Sequence, residues 1–136
     1  MLFPTLSRMN TILLIEDNFE FLENLTEYLE LEGYSILIAN NGRKGVELAR
    51  EFMPDIIVCD VLMREMDGHE VLQQLICTAN THEIPFIFST SMSEKVEREE
   101  ALYLGADDYI IKPYDADILL KKVQDLIVSG SKRKNK

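Results

Sequence analysis

Long apolar runs are missing from this 136-residue chain, and no stretch approaches the ~20 apolar residues a helix needs to cross a bilayer. The opening residues, MLFPTLSRMN, hold no continuous apolar segment of signal-peptide length, so a cytoplasmic protein without a membrane partner is expected. Cysteine is scarce. Cys59 and Cys77 are the only two, each within an apolar-patterned segment, which argues against a disulfide framework or a cysteine metal site and predicts free core thiols. Basic residues are outnumbered, 14 against 24 acidic ones, for a formal charge of −10. Four of the 14 fall in residues 131–136, so residues 1–130 carry 10 positive and 24 negative charges, a net of −14. A body of that sign repels nucleic acid, and no specific nucleic-acid binding is expected of it. The basic end, residues 129–136, reads as a solvated tail or the start of a linker.

What is present suits one globular domain. At 46% hydrophobic residues the chain can fill a single core, which excludes wholesale disorder. After an irregular extension, 1–10, the run TILLIE (11–16) reads as a buried strand, and Phe19, Leu22, Leu25, Tyr28 and Leu29 follow at helical spacing until Gly33. Residues 34–39 form a second run. The turn Asn40-Asn41-Gly42 leads to a helix marked by Val46, Ala49, Phe52 and Met53, which Pro54 ends. Ile56 to Cys59 make a third strand, followed by a loop from Asp60 to Gly68 and a helix carrying Val71, Leu72, Leu75 and Ile76. Residues 85–90 give a fourth strand, with Ser91 or Ser93 as the cap of a helix carrying Val96, Ala101, Leu102 and Leu104. Tyr109, Ile110 and Ile111 make a fifth, and Asp115 caps a last helix with Ile118, Leu119, Val123, Leu126 and Ile127.

Five βα units with near-continuous apolar strands predict an α/β domain over 11–128: an open, doubly wound parallel sheet with helices on both faces. In such a fold the chemistry belongs at the strands' carboxyl ends. Those ends carry Glu16-Asp17, Asp60, Thr90-Ser91 and Lys112-Pro113. Each has an ordinary explanation by itself, as a helix cap, a turn residue or a solvated lysine. Their coincidence on one edge is harder to obtain from turn chemistry. Two carboxylates ~5 Å apart at an effective dielectric of ~20 repel by about 3 kcal/mol, roughly two pKa units, and both still ionise at pH 7. Protonation therefore gives no relief, whereas a hard divalent cation does. Mg²⁺ prefers one or two carboxylates, waters and phosphate oxygens. A phosphoryl group bridging such an ion could be attacked by an aspartate, with Lys112 and Thr90 stabilising its oxygens.

With ILLIEDN, DIIVCD, VLMREMDG, PFIFSTS and GADDYIIKPY in hand, the sequence closely resembles the receiver domain of bacterial two-component response regulators, chemotaxis regulators included. The resemblance implies a flavodoxin-like fold with five parallel strands in the order 2-1-3-4-5. It implies that Asp60 accepts a phosphoryl group from a histidine kinase or histidine phosphotransfer protein. Glu16, Asp17, Asp60 and the backbone carbonyl of Leu62 would hold Mg²⁺ or Mn²⁺. Thr90 and Lys112 would contact the phosphoryl group, Tyr109 would be the aromatic switch, and Lys112-Pro113 would be a cis peptide. The output face would be the fourth helix, fifth strand and fifth helix, roughly 93–127, read by a downstream partner, an output domain or a phosphorylation-dependent dimer. Such a domain catalyses its own phosphorylation and slow dephosphorylation but turns over no external substrate.

Three positions depart from the usual pattern: Glu16 for a commoner aspartate, Arg64 for a frequent proline, and Ser91 for a small apolar residue. Leu62 and Met92, where the family tunes dephosphorylation, cannot orient a water, so a long-lived phosphoryl group is expected. A flavin carrier is disfavoured because Glu16-Asp17-Asn18-Phe19-Glu20 would repel phosphate. An aspartyl phosphohydrolase would want a second acid where Leu62 stands. A pseudo-receiver used only for docking is the remaining alternative, and the intact acid, hydroxyl and amine set argues against it. His69 and His82 are expected outside the acidic cluster.

Overall fold

The computed structural model describes residues 9–91 and 95–133, without the side chains of 95–98. In chain order the elements are β1 (Thr11–Ile15), α1 (Phe19–Leu31), β2 (Ser35–Ala39), α2 (Gly42–Phe52), β3 (Ile56–Asp60), α3 (Gly68–Ile76), β4 (Phe86–Thr90), α4 (Lys95–Tyr103), β5 (Asp108–Ile111) and α5 (Ala116–Ser129). All neighbouring strands pair in parallel, in the order β2-β1-β3-β4-β5. This is the doubly wound sheet that the apolar runs and the resemblance imply.

Strand periodicity splits the core into two layers, since alternate side chains leave opposite faces of the sheet. Leu13 and Ile15 of β1 and Phe86 and Phe88 of β4 pack with Val46, Ala49, Val71, Leu72 and Leu75 under α2 and α3. Ile12, Leu14 and Ile87 instead meet Leu22, Leu25 and Leu29 of α1 and Leu119 and Val123 of α5. The helices start where side chains satisfy free N–H groups. Asn18 accepts from Phe21 N at 3.1 Å, Asn41 accepts from Lys44 N at 2.8 Å, and Asp67 and Glu70 form a reciprocal capping box on α3. Among the described residues no helix is long and apolar enough to cross a membrane.

Several apolar assignments are corrected. Phe19 opens α1 on its outer side and is 73% exposed, so the buried stripe of that helix begins at Leu22. Phe52 and Met53 also face solvent because α2 unwinds there, Met53 taking a left-handed φ of 48° just before Pro54. Ile118 and Leu102 lie toward solvent on α5 and α4. Both cysteines are free, yet only Cys59 is in the core; Cys77 caps the end of α3 and is exposed. Asp115 stands at the N-cap of α5 without a side-chain capping bond. Residues 131–133, expected in a solvated tail, dock against the domain, with Ser131 and Arg133 buried. Met92 and Ser93 lie outside the described residues.

Candidate functional site

β1, β3, β4 and β5 deliver their terminal residues to one rim of the sheet. Asp60 is the last residue of β3, and only 11% of its side chain is exposed. The loop leaving Asp60 is held by Gly68: a Cβ there would stand 2.4 Å from the Asp60 carbonyl oxygen and 2.9 Å from Val61 Cα, so α3 can begin this close to the strand only with glycine. Gly68 N–H donates to the Val61 carbonyl at 2.8 Å, closing the loop that carries Leu62 and Arg64. Glu16, just past β1, is buried and tied through both oxygens. Asn18 N–H donates to Oε2 at 3.0 Å and Lys112 Nζ donates to Oε1 in a short contact. Asp17 beside it is exposed.

Lys112 is the cation of the site. Its backbone N–H donates to the Thr90 carbonyl at 2.7 Å, which fastens the end of β5 to the end of β4, and the Lys112-Pro113 bond is cis as expected. Its Nζ lies 3.7 Å from Asp60 Oδ2 and 4.9 Å from the centre of the Phe21 ring. Phe21 in turn sits edge-on to Tyr114, with ring centres 5.6 Å apart. The amine is therefore held by a carboxylate and an aromatic face. Thr90 is buried at the end of β4. Tyr109 pairs with Phe88 in the β4–β5 register and packs on the same layer as Phe88, one diagonal position from Thr90.

Glu16, Asp17 and Asp60 each offer a carboxylate oxygen, and the three lie within 4.8 Å of one another. Burial pushes the Asp60 carboxyl up from 3.8 to about 6; Lys112 pulls it down, Glu16 and Asp17 push it up, and the Leu62 backbone amide pulls it down by hydrogen bonding. Mutual repulsion of the acids is thus real but secondary to burial, which the spacing of carboxylates in a sequence does not reveal. Burial also pushes the Cys59 thiol well up, leaving it an inert core group. The set suits a hard cation with oxygen ligands and a nucleophilic carboxylate beside it. His69 packs edge-on against Phe88 and His82 bonds the Ile76 carbonyl through Nδ1, so neither belongs to the acidic group. Phe21 and Gly68 are the residues that sequence reasoning missed. The close pairing of Gly68 with a capping aspartate was the signal available for the second.

Fold and rim together define a doubly wound α/β domain in which a buried carboxylate at the end of β3 is flanked by two acids, a hydroxyl and an amine. The family model described as response regulator receiver domain matches residues 12–124, and the chain belongs to that family. Among curated relatives it is 34% identical over 119 residues to Protein PilH of Pseudomonas aeruginosa, covering 88% of this chain and 98% of that one. It is 33% identical to the transcriptional regulatory protein CpxR of Escherichia coli, of whose length it spans 50%. Among solved structures, the receiver domain of a signal transduction histidine kinase from Syntrophus aciditrophicus superposes with a TM-score of 0.81 at 35% identity, covering 88% of this chain and 91% of that one. The receiver domain of sensor histidine kinase PA1611 from Pseudomonas aeruginosa, solved with a magnesium ion coordinated in its active-site cleft, gives 0.82 at 26% identity, covering 89% and 99%.

Proposed function

We propose that this domain is the phosphoacceptor of a two-component phosphorelay and that Asp60 takes the phosphoryl group. The observation that carries the reading is the pairing of a buried Asp60 with Lys112 Nζ at 3.7 Å, beside two more carboxylates within 4.8 Å. An oxygen of the Asp60 carboxylate attacks phosphorus and the bond to the donor's histidine nitrogen breaks. The imidazole that leaves takes its proton from solvent. Lys112 meets the charge on the transferred oxygens and the Thr90 hydroxyl donates to one of them. Glu16, Asp17, Asp60 and the Leu62 carbonyl would hold Mg²⁺, which when bound neutralises charge on the phosphoryl oxygens. The acid cluster supports that assignment, as does the magnesium in the PA1611 receiver.

The signal follows from charge. A phosphoryl group on Asp60 draws the Thr90 hydroxyl toward it, and the Tyr109 ring turns into the space left behind. The surface so altered comprises α4, β5 and α5, where Tyr103 is 89% exposed and Lys122 pairs with Asp108 at 3.1 Å. A histidine kinase or phosphotransfer protein supplies the group in the cytoplasm. A downstream protein, an output domain or a second copy of the domain reads that face. Apolar, exposed Leu62 cannot align a water for hydrolysis, which favours a persistent phosphoryl group. The test is incubation with acetyl phosphate and Mg²⁺, followed by intact mass measurement. The wild type should gain one phosphoryl group and Asp60→Asn none; equal labelling of both overturns the assignment.

A further inference from the structure

Residues 131–133, beyond α5, pack against the domain instead of trailing into solvent. Gly130 ends that helix at a φ of 80°, and residues 131–133 run back to the amino ends of β4 and β5, opposite the rim that carries Asp60. Asp107, which precedes β5, is 6% exposed and saturated with donors. Phe86 N–H and Lys132 N–H each reach its carboxylate at 2.8 Å, and the Ser131 hydroxyl does so at 3.2 Å. Arg133 is 7% exposed and completes the group, with Nη1 3.3 Å from Asp107 Oδ2. Its Nε donates to the His82 carbonyl at 2.9 Å, and its two Nη atoms donate to the carbonyls of Gly105 and Ile84. The Ser131 hydroxyl accepts from Arg133 N–H at 3.0 Å, so the turn also closes on itself.

A buried cation is tolerated when it is paired and its donors are satisfied, and a guanidinium has five donors in a rigid plane. Here one plane joins two separate segments: the loop before β4, through the His82 and Ile84 carbonyls, and the turn between α4 and β5, through the Gly105 carbonyl and the Asp107 carboxylate. An ammonium is a point charge that cannot span them. We propose that residues 131–133 are a latch, with Arg133 seated in a socket made by Asp107 and the carbonyls of His82, Ile84 and Gly105. The latch ties the end of α5 to the α4–β5 turn. Arg133 is thereby fixed to the domain, and β5 alone separates the socket from Lys112. None of this depends on Asp60 accepting a phosphoryl group.

Hydrogen exchange read by mass spectrometry on the full chain tests the latch, with circular dichroism as the check on folding. In the wild type the amides of Lys132 and Arg133 should be protected. Arg133→Met should raise their exchange about a hundredfold and speed that of residues 105–107, and Arg133→Lys should do so only in part. Asp107→Asn should match Arg133→Met; if it fails to fold because Phe86 N–H loses its acceptor, the two arginine variants carry the test. Wild-type exchange at the rate of an unstructured peptide, or exchange unchanged in Arg133→Met, overturns the proposal. Mass labelling of Asp60 should be the same in Arg133→Met and wild type, which keeps failure of the latch distinct from failure of the phosphoacceptor reading.

Discussion

Replacing Asp60 by asparagine removes a buried negative charge while keeping the shape of the side chain, and the protein should become more stable for it. Burial holds the Asp60 carboxyl at about 6, against 3.8 for an unperturbed group. The folded state thus binds this proton more tightly than the unfolded chain does. The associated stability is complete below pH ~4 and is lost as pH rises through ~6. That difference in proton affinity corresponds to about 3 kcal/mol at pH 7, and with 11% of the side chain exposed, solvent screens little of it. In chelator at pH 7, Asp60→Asn should therefore gain up to ~3 kcal/mol in urea unfolding, or about 10 °C in melting temperature for a domain of this size. At pH 4 the gain should vanish. Mg²⁺ should reverse the order, stabilising the wild type by mass action and the variant far less. A gain that is the same at both pH values, or a variant less stable than wild type at pH 7, would refute the assignment of the cost to the buried charge.

Lys112→Met should leave Glu16 and Asp60 without their cation, lower stability most above pH 6, and slow labelling by acetyl phosphate at least about tenfold in a time course. Gly68→Ala should drive a methyl into the Asp60 carbonyl and cost about 2 kcal/mol or more in denaturant unfolding, with labelling slowed as the acceptor strand shifts; an unchanged midpoint would contradict the close approach. Polar residues at both Leu62 and Met92 should speed loss of the phosphoryl group, and an unchanged decay rate after donor removal would count against their role in its lifetime.

The sheet was legible because each strand is an apolar run and each helix repeats its apolar residues at a regular interval, so topology left little choice. The rim was legible for the same reason: once the strands are placed, Asp17, Asp60, Thr90 and Lys112 must share an edge. Phe19 misled because an apolar residue in the first helical turn fits the periodicity whether or not the core reaches it. Cys77 misled because a helix end can leave the core one residue after Ile76. Arg133 was unreadable from local pattern, since its partners lie 26 to 51 residues away and three of the four are backbone carbonyls. The weight of burial at Asp60 was likewise hidden, because it depends on how the loop capped by Gly68 closes over the strand.

A long amine usually surrenders its torsional freedom at the moment it is put to use. Lys112, wedged between the Phe21 ring and the Glu16 carboxylate, surrenders it when the chain folds. The ordering of that amine is thus a cost met in folding, and in the proposed transfer a donor would meet a cation already at rest.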